Sequence, residues 1–158
     1  LSANQRLAGA ITALTALAAL AVAYVAQYVL LLMPCELCLW ERWPYRIVAA
    51  LGVLAALLPR RPARAVLGLA ALALLAGAGI AGLHVGVEFG WWNSPLPECN
   101  GILVPGAPLP AIPARPCDEP VYLIPHLPVS MAFMDMLYAA AFAFALSLYV
   151  LRRQRRFR

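Results

Sequence analysis

AVLGLAALALLAGAGIAGLHVGV, residues 65–87, runs for 23 positions without Asp, Glu, Lys or Arg. At a rise of about 1.5 Å per residue, about 20 such positions cross the hydrocarbon core of a bilayer as a helix. Three further stretches repeat the pattern. Residues 7–33 carry no charge, and 129–151 carry Asp135 but no Lys or Arg. Residues 39–58 hold Glu41, Arg42 and Arg46 in their opening turns, so that end must sit at an interface or face protein. The four runs predict an all-α membrane protein, a single domain over residues 1–158, built as a four-transmembrane-helix bundle. Its outer loops are expected at 34–38 and 88–128.

Composition agrees. Of 158 residues, 64% are hydrophobic and 12% charged, with a mean hydropathy of +0.80. A soluble domain has about a quarter of its residues charged, so a water-soluble globular fold is excluded. Ala21, Val22 and Ala23 offer a signal-peptide cleavage site, but 27 apolar positions exceed the roughly 7 to 15 of a signal core. Residues 7–33 therefore read as a retained helix. Gly77, Gly79 and Gly82 fit G-x-G-x-x-G, yet no strand precedes them, so they read as a small-residue packing face that continues to Gly86.

All 12 basic residues are arginine. With four crossings, Arg6, then Arg60, Arg61 and Arg64, then Arg152, Arg153, Arg155, Arg156 and Arg158 share one side, nine against three. The positive-inside rule makes that side cytoplasmic and puts Trp40, Trp43, Trp91 and Trp92 near the other face. The terminal arginines read as a stop-transfer anchor rather than a nucleic-acid site, and no nucleic-acid partner is expected. Both termini are then expected on the cytoplasmic side of the membrane.

All four cysteines then lie outside the cytoplasm, where an even count implies disulfides. Cys35 and Cys38 fall in the first outer loop; Cys99 and Cys117 fall in the second, which holds 10 of the 14 prolines. That long, proline-rich loop is expected to be extended, partly mobile and closed by its own disulfide.

The chemistry gathers in Pro34-Cys35-Glu36-Leu37-Cys38-Leu39-Trp40-Glu41-Arg42. Cysteines at i and i+3 at a helix entrance can close a small, easily reduced disulfide, and a helix N-terminus stabilises a thiolate there. Arg42 lies one turn beyond Cys38 and sets a fixed charge over the sulfur. The alternatives are a purely structural disulfide or half of a zinc site; the wide Cys99 to Cys117 spacing disfavours zinc, and no metal is expected. A dithiol at a membrane interface, with no flavin, haem or nucleotide motif, needs a lipid-soluble two-electron acceptor. A quinone is the acceptor of that kind.

The string Gln27, Leu31, Leu32, Pro34, Cys35, Leu37, Cys38, Glu41 and Arg42 resembles the DsbB-type disulfide-forming membrane proteins residue by residue. Residues 84–88, Trp91, Trp92, Cys99, residues 117–119 and residues 130–132 are similar to a subgroup of that family. Vitamin K epoxide reductases place their Cys-x-x-Cys after the loop cysteines, and the order here argues against them. Departures are the 17 proline-rich residues between Cys99 and Cys117, short for a membrane-lying loop helix, and Tyr122 where tryptophan is expected.

The resemblance implies a protein-disulfide:quinone oxidoreductase. Electrons from a DsbA-like periplasmic thiol oxidase pass through Cys99 and Cys117 to Cys35 and Cys38, then to ubiquinone or menaquinone, the established route that keeps the periplasm oxidising. Of the outer-loop pair, Cys99 is then the one joined to the oxidase. It also implies that His84 sits beside the quinone, with Arg42 stabilising charge. Arg46 either helps hold the quinone or bonds a lipid headgroup. Asp135, two turns into the last helix, is either functional or a snorkelling interfacial group. A rival reading is a non-enzymatic membrane scaffold whose disulfides staple its outer loops, a bond over the Cys99 to Cys117 span being worth about 3 kcal/mol; it leaves Arg42 beside Cys38 unexplained.

Overall fold

The computed structural model describes residues 3–100, 115–124 and 126–155. They form four helices, α1 Ala3–Tyr28, α2 Glu36–Leu57, α3 Arg60–Glu88 and α4 Met131–Arg155, with one 3-10 turn at Pro97–Asn100. No strand occurs among the described residues. Three helices are long and apolar enough to cross a membrane: Asn4–Tyr28, Arg60–Glu88 and Met131–Arg152. The second, α2, has the length, but Glu36, Glu41, Arg42 and Arg46 interrupt its apolar composition. Glu41 and Arg42 are both buried, so those charges face protein.

Helix ends depart from the expected bounds for local reasons. α1 stops at Tyr28, five residues before Met33. The amides of Val29 and Leu30 both return to the Val25 carbonyl, at 2.9 and 3.1 Å, and Leu31 turns left-handed at φ 54°. Pro34 then prevents the helix from resuming in register. α2 starts at Glu36, three residues before Leu39, because Cys35 caps it: the Cys38 N–H donates to Cys35 Sγ at 3.3 Å. The sulfur satisfies one of the amides that every helix start leaves without a partner. Cys38 therefore belongs to the first turn of α2 and not to the preceding loop.

Successive helices pack as neighbours, α1 on α2, α2 on α3 and α3 on α4, whereas α1 and α4 hardly touch. The core is built from Val48, Leu67 and Leu74 among fully buried alanines such as Ala16, Ala55 and Ala139. Large apolar side chains, including Leu14, Leu57, Leu72 and Phe144, lie on the outside. That inversion suits a lipid solvent, in which close packing of small residues rather than water exclusion joins helices. α1 and α2 come close at Gly9 and Gly52: a Cβ on Gly52 would meet Ala13 N at 2.5 Å. The expected small-residue face on α3 is used unevenly. Gly77 receives the Pro44 ring and Gly86 receives the Trp92 ring, but Gly79 has nothing within 4 Å.

The second outer segment returns to the bundle through the Met131 amide, which donates to Val121 O at 2.7 Å, and through Ser130, whose hydroxyl donates to Glu88. The proline-rich residues 101–114, expected to be extended, lie outside the described residues, as do Arg156 and Arg158.

Candidate redox site

Cys35 is placed by Pro34 and by its capping of α2; Cys38 follows one turn later, with the two sulfurs 2.8 Å apart as free thiols. The expected second pair is joined: Cys99 and Cys117 form a disulfide. The 3-10 turn ending at Asn100 delivers Cys99 to the outer end of α2. One buried cluster then holds Cys35, Cys99 and Cys117 with Leu37 and Val87, and Cys38 packs at its edge. Four cysteines far apart in the chain are thus brought to one place. Both loop sulfurs are covered, Cys117 completely and Cys99 with 4% exposure, so a second protein reaches them only when this segment opens.

Hydrogen bonding distinguishes the two thiols of the pair. Cys35 receives the Cys38 thiol and the Cys38 amide, and these draw its pKa below that of an ordinary thiol, the thiol contact first, against the opposing push of burial. Its sulfur also lies 3.5 Å from His84 Nε2. On the far side of the ring, His84 Nδ1 is 2.7 Å from Glu41 Oε1, and both side chains are buried. A carboxylate only accepts, so Nδ1 carries the proton and, in the neutral ring, Nε2 is left to accept from the Cys35 thiol. The sulfur, ring and carboxylate are arranged so that the ring can take the thiol proton while the carboxylate orients it, a geometry chemically able to activate a thiol.

Cys38 looks the other way. With Arg42 it lines a cavity of about 280 Å³ between α1, α2 and α4 at the cysteine-bearing end of the bundle. Most of the wall is apolar, and Gln27, Glu41, Tyr45 and Asp135 supply polar groups. The cavity occupies the gap that the weak α1 to α4 packing leaves. Arg42 is buried, donates through Nη1 to Gln27 Oε1 at 2.6 Å, and stacks over the Tyr24 ring at 5.0 Å. Among the described residues it has no carboxylate partner, and its Nε has no hydrogen bond. Across the cavity, Tyr45 donates to Asp135 Oδ1 at 2.7 Å, while Asp135 Oδ2 is buried without a partner.

The cavity fits the quinone expected from the sequence. An apolar slot whose lining residues Arg42 and Asp135 each carry a polar atom without a partner suits a flat, apolar ring that carries carbonyl oxygens. Arg42, Cys38 and Gln27 are the residues positioned to hold it.

Two expected ligands lie elsewhere. His84 does not line the cavity, because its ring is taken up by Cys35 and Glu41. Arg46 donates to the Tyr24 hydroxyl at 2.8 Å and stacks on Trp43 at 5.0 Å, outside the cavity. Cys35, Cys38 and His84 place three metal-ligating atoms within 4.8 Å of one another, a cluster that separates the zinc alternative from Cys99 and Cys117, which are already bonded to each other. Arg115, two residues before Cys117, pairs with Glu119 at 3.5 Å. The Glu41 contact with His84 and the Gln27 contact with Arg42 were not assigned from sequence. Glu41 stands three residues after Cys38, on the same helical face, and that spacing was the available signal.

A protein-family model described as Disulfide bond formation protein DsbB matches residues 5–149. A protein of Herminiimonas arsenicoxydans named Disulfide bond formation protein B is 39% identical over 62 residues, which is 39% of this chain and 39% of that relative. No solved structure matches the chain.

Proposed function

The chain belongs to the DsbB family of disulfide bond formation proteins, and from that premise we propose that it reoxidises a DsbA-like thiol oxidase and delivers the electrons to a membrane quinone. One observation carries the reading. The two sulfurs of a single Cys-x-x-Cys pair, 2.8 Å apart, serve different sides: Cys35 packs with the Cys99–Cys117 disulfide, and Cys38 lines the cavity beside Arg42. A relay between a protein disulfide and a lipid-soluble acceptor needs that division.

The steps follow from thiol-disulfide exchange. A thiolate of the partner attacks Cys99, the loop bond breaks, and Cys117 leaves as a thiolate. Cys117 attacks Cys35 of an oxidised Cys35–Cys38 pair, and Cys38 leaves towards the cavity, where Arg42 holds its negative charge. The partner's second thiol releases Cys99, which attacks Cys117 and remakes the loop bond. The freed Cys35 is protonated by His84, whose tautomer Glu41 fixes. The result is a closed Cys99–Cys117 bond beside two thiols, the redox state of this structure. A quinone bound in the cavity supplies the acceptor for two electrons and two protons. As the dithiol gives these up, the Cys35–Cys38 bond closes and His84 takes the Cys35 proton.

Nine arginines at one end support placing that end in the cytoplasm, α2 as the fourth crossing, and all four cysteines in the periplasm of a bacterial inner membrane. The test mixes the purified protein with reduced DsbA-like protein and a short-chain quinone without oxygen. One quinol is expected for each disulfide formed in the partner, and Cys38→Ser is expected to stop both. Disulfide-free partner and unreduced quinone would return the chain to the scaffold reading.

A further inference from the structure

We propose that Asp135 is the acid that protonates the quinone, an assignment that rests on the quinone reading above and concerns this chain's own α4. Reduction to a quinol places a proton on each of two oxygens, and a largely apolar cavity offers few groups able to give one. The titratable groups on its wall are Cys38, Glu41, Arg42, Tyr45, Asp135 and Tyr138. Arg42 stabilises negative charge but stays protonated at any working pH, so it is not a proton donor. Glu41 is committed to His84, and the Tyr138 hydroxyl donates to Thr15 O at 2.9 Å. Tyr45 gives its hydrogen to Asp135 Oδ1. Cys38 is the sulfur that gives electrons. Asp135 remains.

Its geometry suits the task. With Oδ1 already accepting from Tyr45, the carboxylic acid carries its hydrogen on Oδ2, the buried atom without a partner among the described residues. No cation lies within ion-pair distance of it among those residues. A bare carboxylate on an apolar wall is costly, whereas an acid that donates to a ligand oxygen is satisfied. Arg42 Nε is the other buried atom without a partner among the residues that line the cavity, so those residues hold one fixed donor and one donor that can release its proton once a side-chain rotation turns it to a ligand. The balance closes. The two thiols lose two electrons and two protons and form the Cys35–Cys38 bond; Asp135 gives its Oδ2 proton to one carbonyl oxygen, the Cys38 thiol proton goes to the other, and Asp135 is restored by a proton equivalent to the one His84 takes from Cys35 and releases, so two protons leave the thiols and two arrive on the quinone.

The experiment compares wild type, Asp135→Asn and Asp135→Glu by three readouts: steady-state quinone reduction, quinone affinity by fluorescence titration, and infrared absorption of the protonated carboxyl. Asparagine keeps the acceptor for Tyr45 but has no proton to release. Expected are a fall in kcat of about 100-fold, the low range for a lost general acid, a quinone affinity within a few-fold of wild type, and partial rescue by Asp135→Glu. In the wild type a carboxylic-acid band shifts when quinone is added, and Asp135→Asn lacks that band. Equal turnover in Asp135→Asn, or a band untouched by quinone, overturns the proposal while wild-type quinone reduction still upholds the function. A wild type that reduces no quinone overturns both.

Discussion

Glu41 Oε1 lies 2.7 Å from His84 Nδ1 across 43 positions of sequence, and the contact leaves the opposite ring nitrogen facing Cys35. It joins α2 to α3 at the level of the dithiol, so the tautomer of the histidine is set by helix packing. Glu41→Gln keeps the side chain's size and removes the obligate acceptor. The exchange between Cys117 and the Cys35–Cys38 pair, followed in a single turnover without quinone, should slow by about 100-fold. An exchange rate equal to wild type would show that the pair only braces the two helices.

Arg42 carries the positive charge of the cavity. Replacing it with methionine keeps the apolar stem and the packing on Tyr24 but removes the charge. Quinone reduction should drop by roughly 100- to 1,000-fold, as for a lost electrostatic stabiliser of about 3 kcal/mol. Arg42→Lys should recover part of the loss, since lysine restores the charge without the planar fork that reaches Gln27. Unchanged turnover in Arg42→Met would reduce the residue to an interfacial anchor.

Cys35 gains thiolate character from its neighbour, and the sign of the effect can be followed by pH. The Cys38 thiol contact pulls the Cys35 pKa down, so Cys38→Ala should push it back up. In that variant Cys35 is the one free thiol beside a closed Cys99–Cys117 bond, and alkylation by a small reagent reports it cleanly. The midpoint of the rate profile should move to higher pH, with slower alkylation at any pH below it. A midpoint that stays, or falls, contradicts the contact.

The two loop cysteines should have different partners. Cys99 is the proposed point of attack and Cys117 the sulfur that moves on to Cys35. A DsbA-like partner lacking its second active-site cysteine should accumulate as a covalent complex with Cys117→Ser but not with Cys99→Ser. The reverse pattern would exchange the two roles and leave the overall reaction standing.

Gly52 faces the backbone of α1 with no room for a side chain. Gly52→Leu must separate α1 from α2, at a cost of about 1–3 kcal/mol or more. A lower unfolding midpoint is expected, together with weaker quinone binding, because α1 carries one wall of the cavity. Gly79→Leu, at a position with open space around it, is the control and should match wild type.

Apolar runs of bilayer length, the arginine asymmetry and the cysteine spacing were legible without a structure, because each depends on local composition or on a distance of one helical turn. The same holds for Cys38 and Arg42, four residues apart on one face of α2. What the chain alone left open concerns contacts between helices. His84 was expected beside the quinone, yet whether a histidine on α3 faces the cavity or Cys35 depends on how α3 rotates against α2, and Glu41 is what holds it there. The small-residue face on α3 was read correctly as to kind but unevenly as to use, and a close approach of α1 to α2 fell to Gly9 and Gly52, whose pairing is set by helix register. Asp135 is legible as an isolated charge in an apolar run; only tertiary packing brings it to Tyr45 and to the cavity of Cys38 and Arg42. A helix fixes which residues share its own face, and the free energy of packing several helices together decides what that face meets.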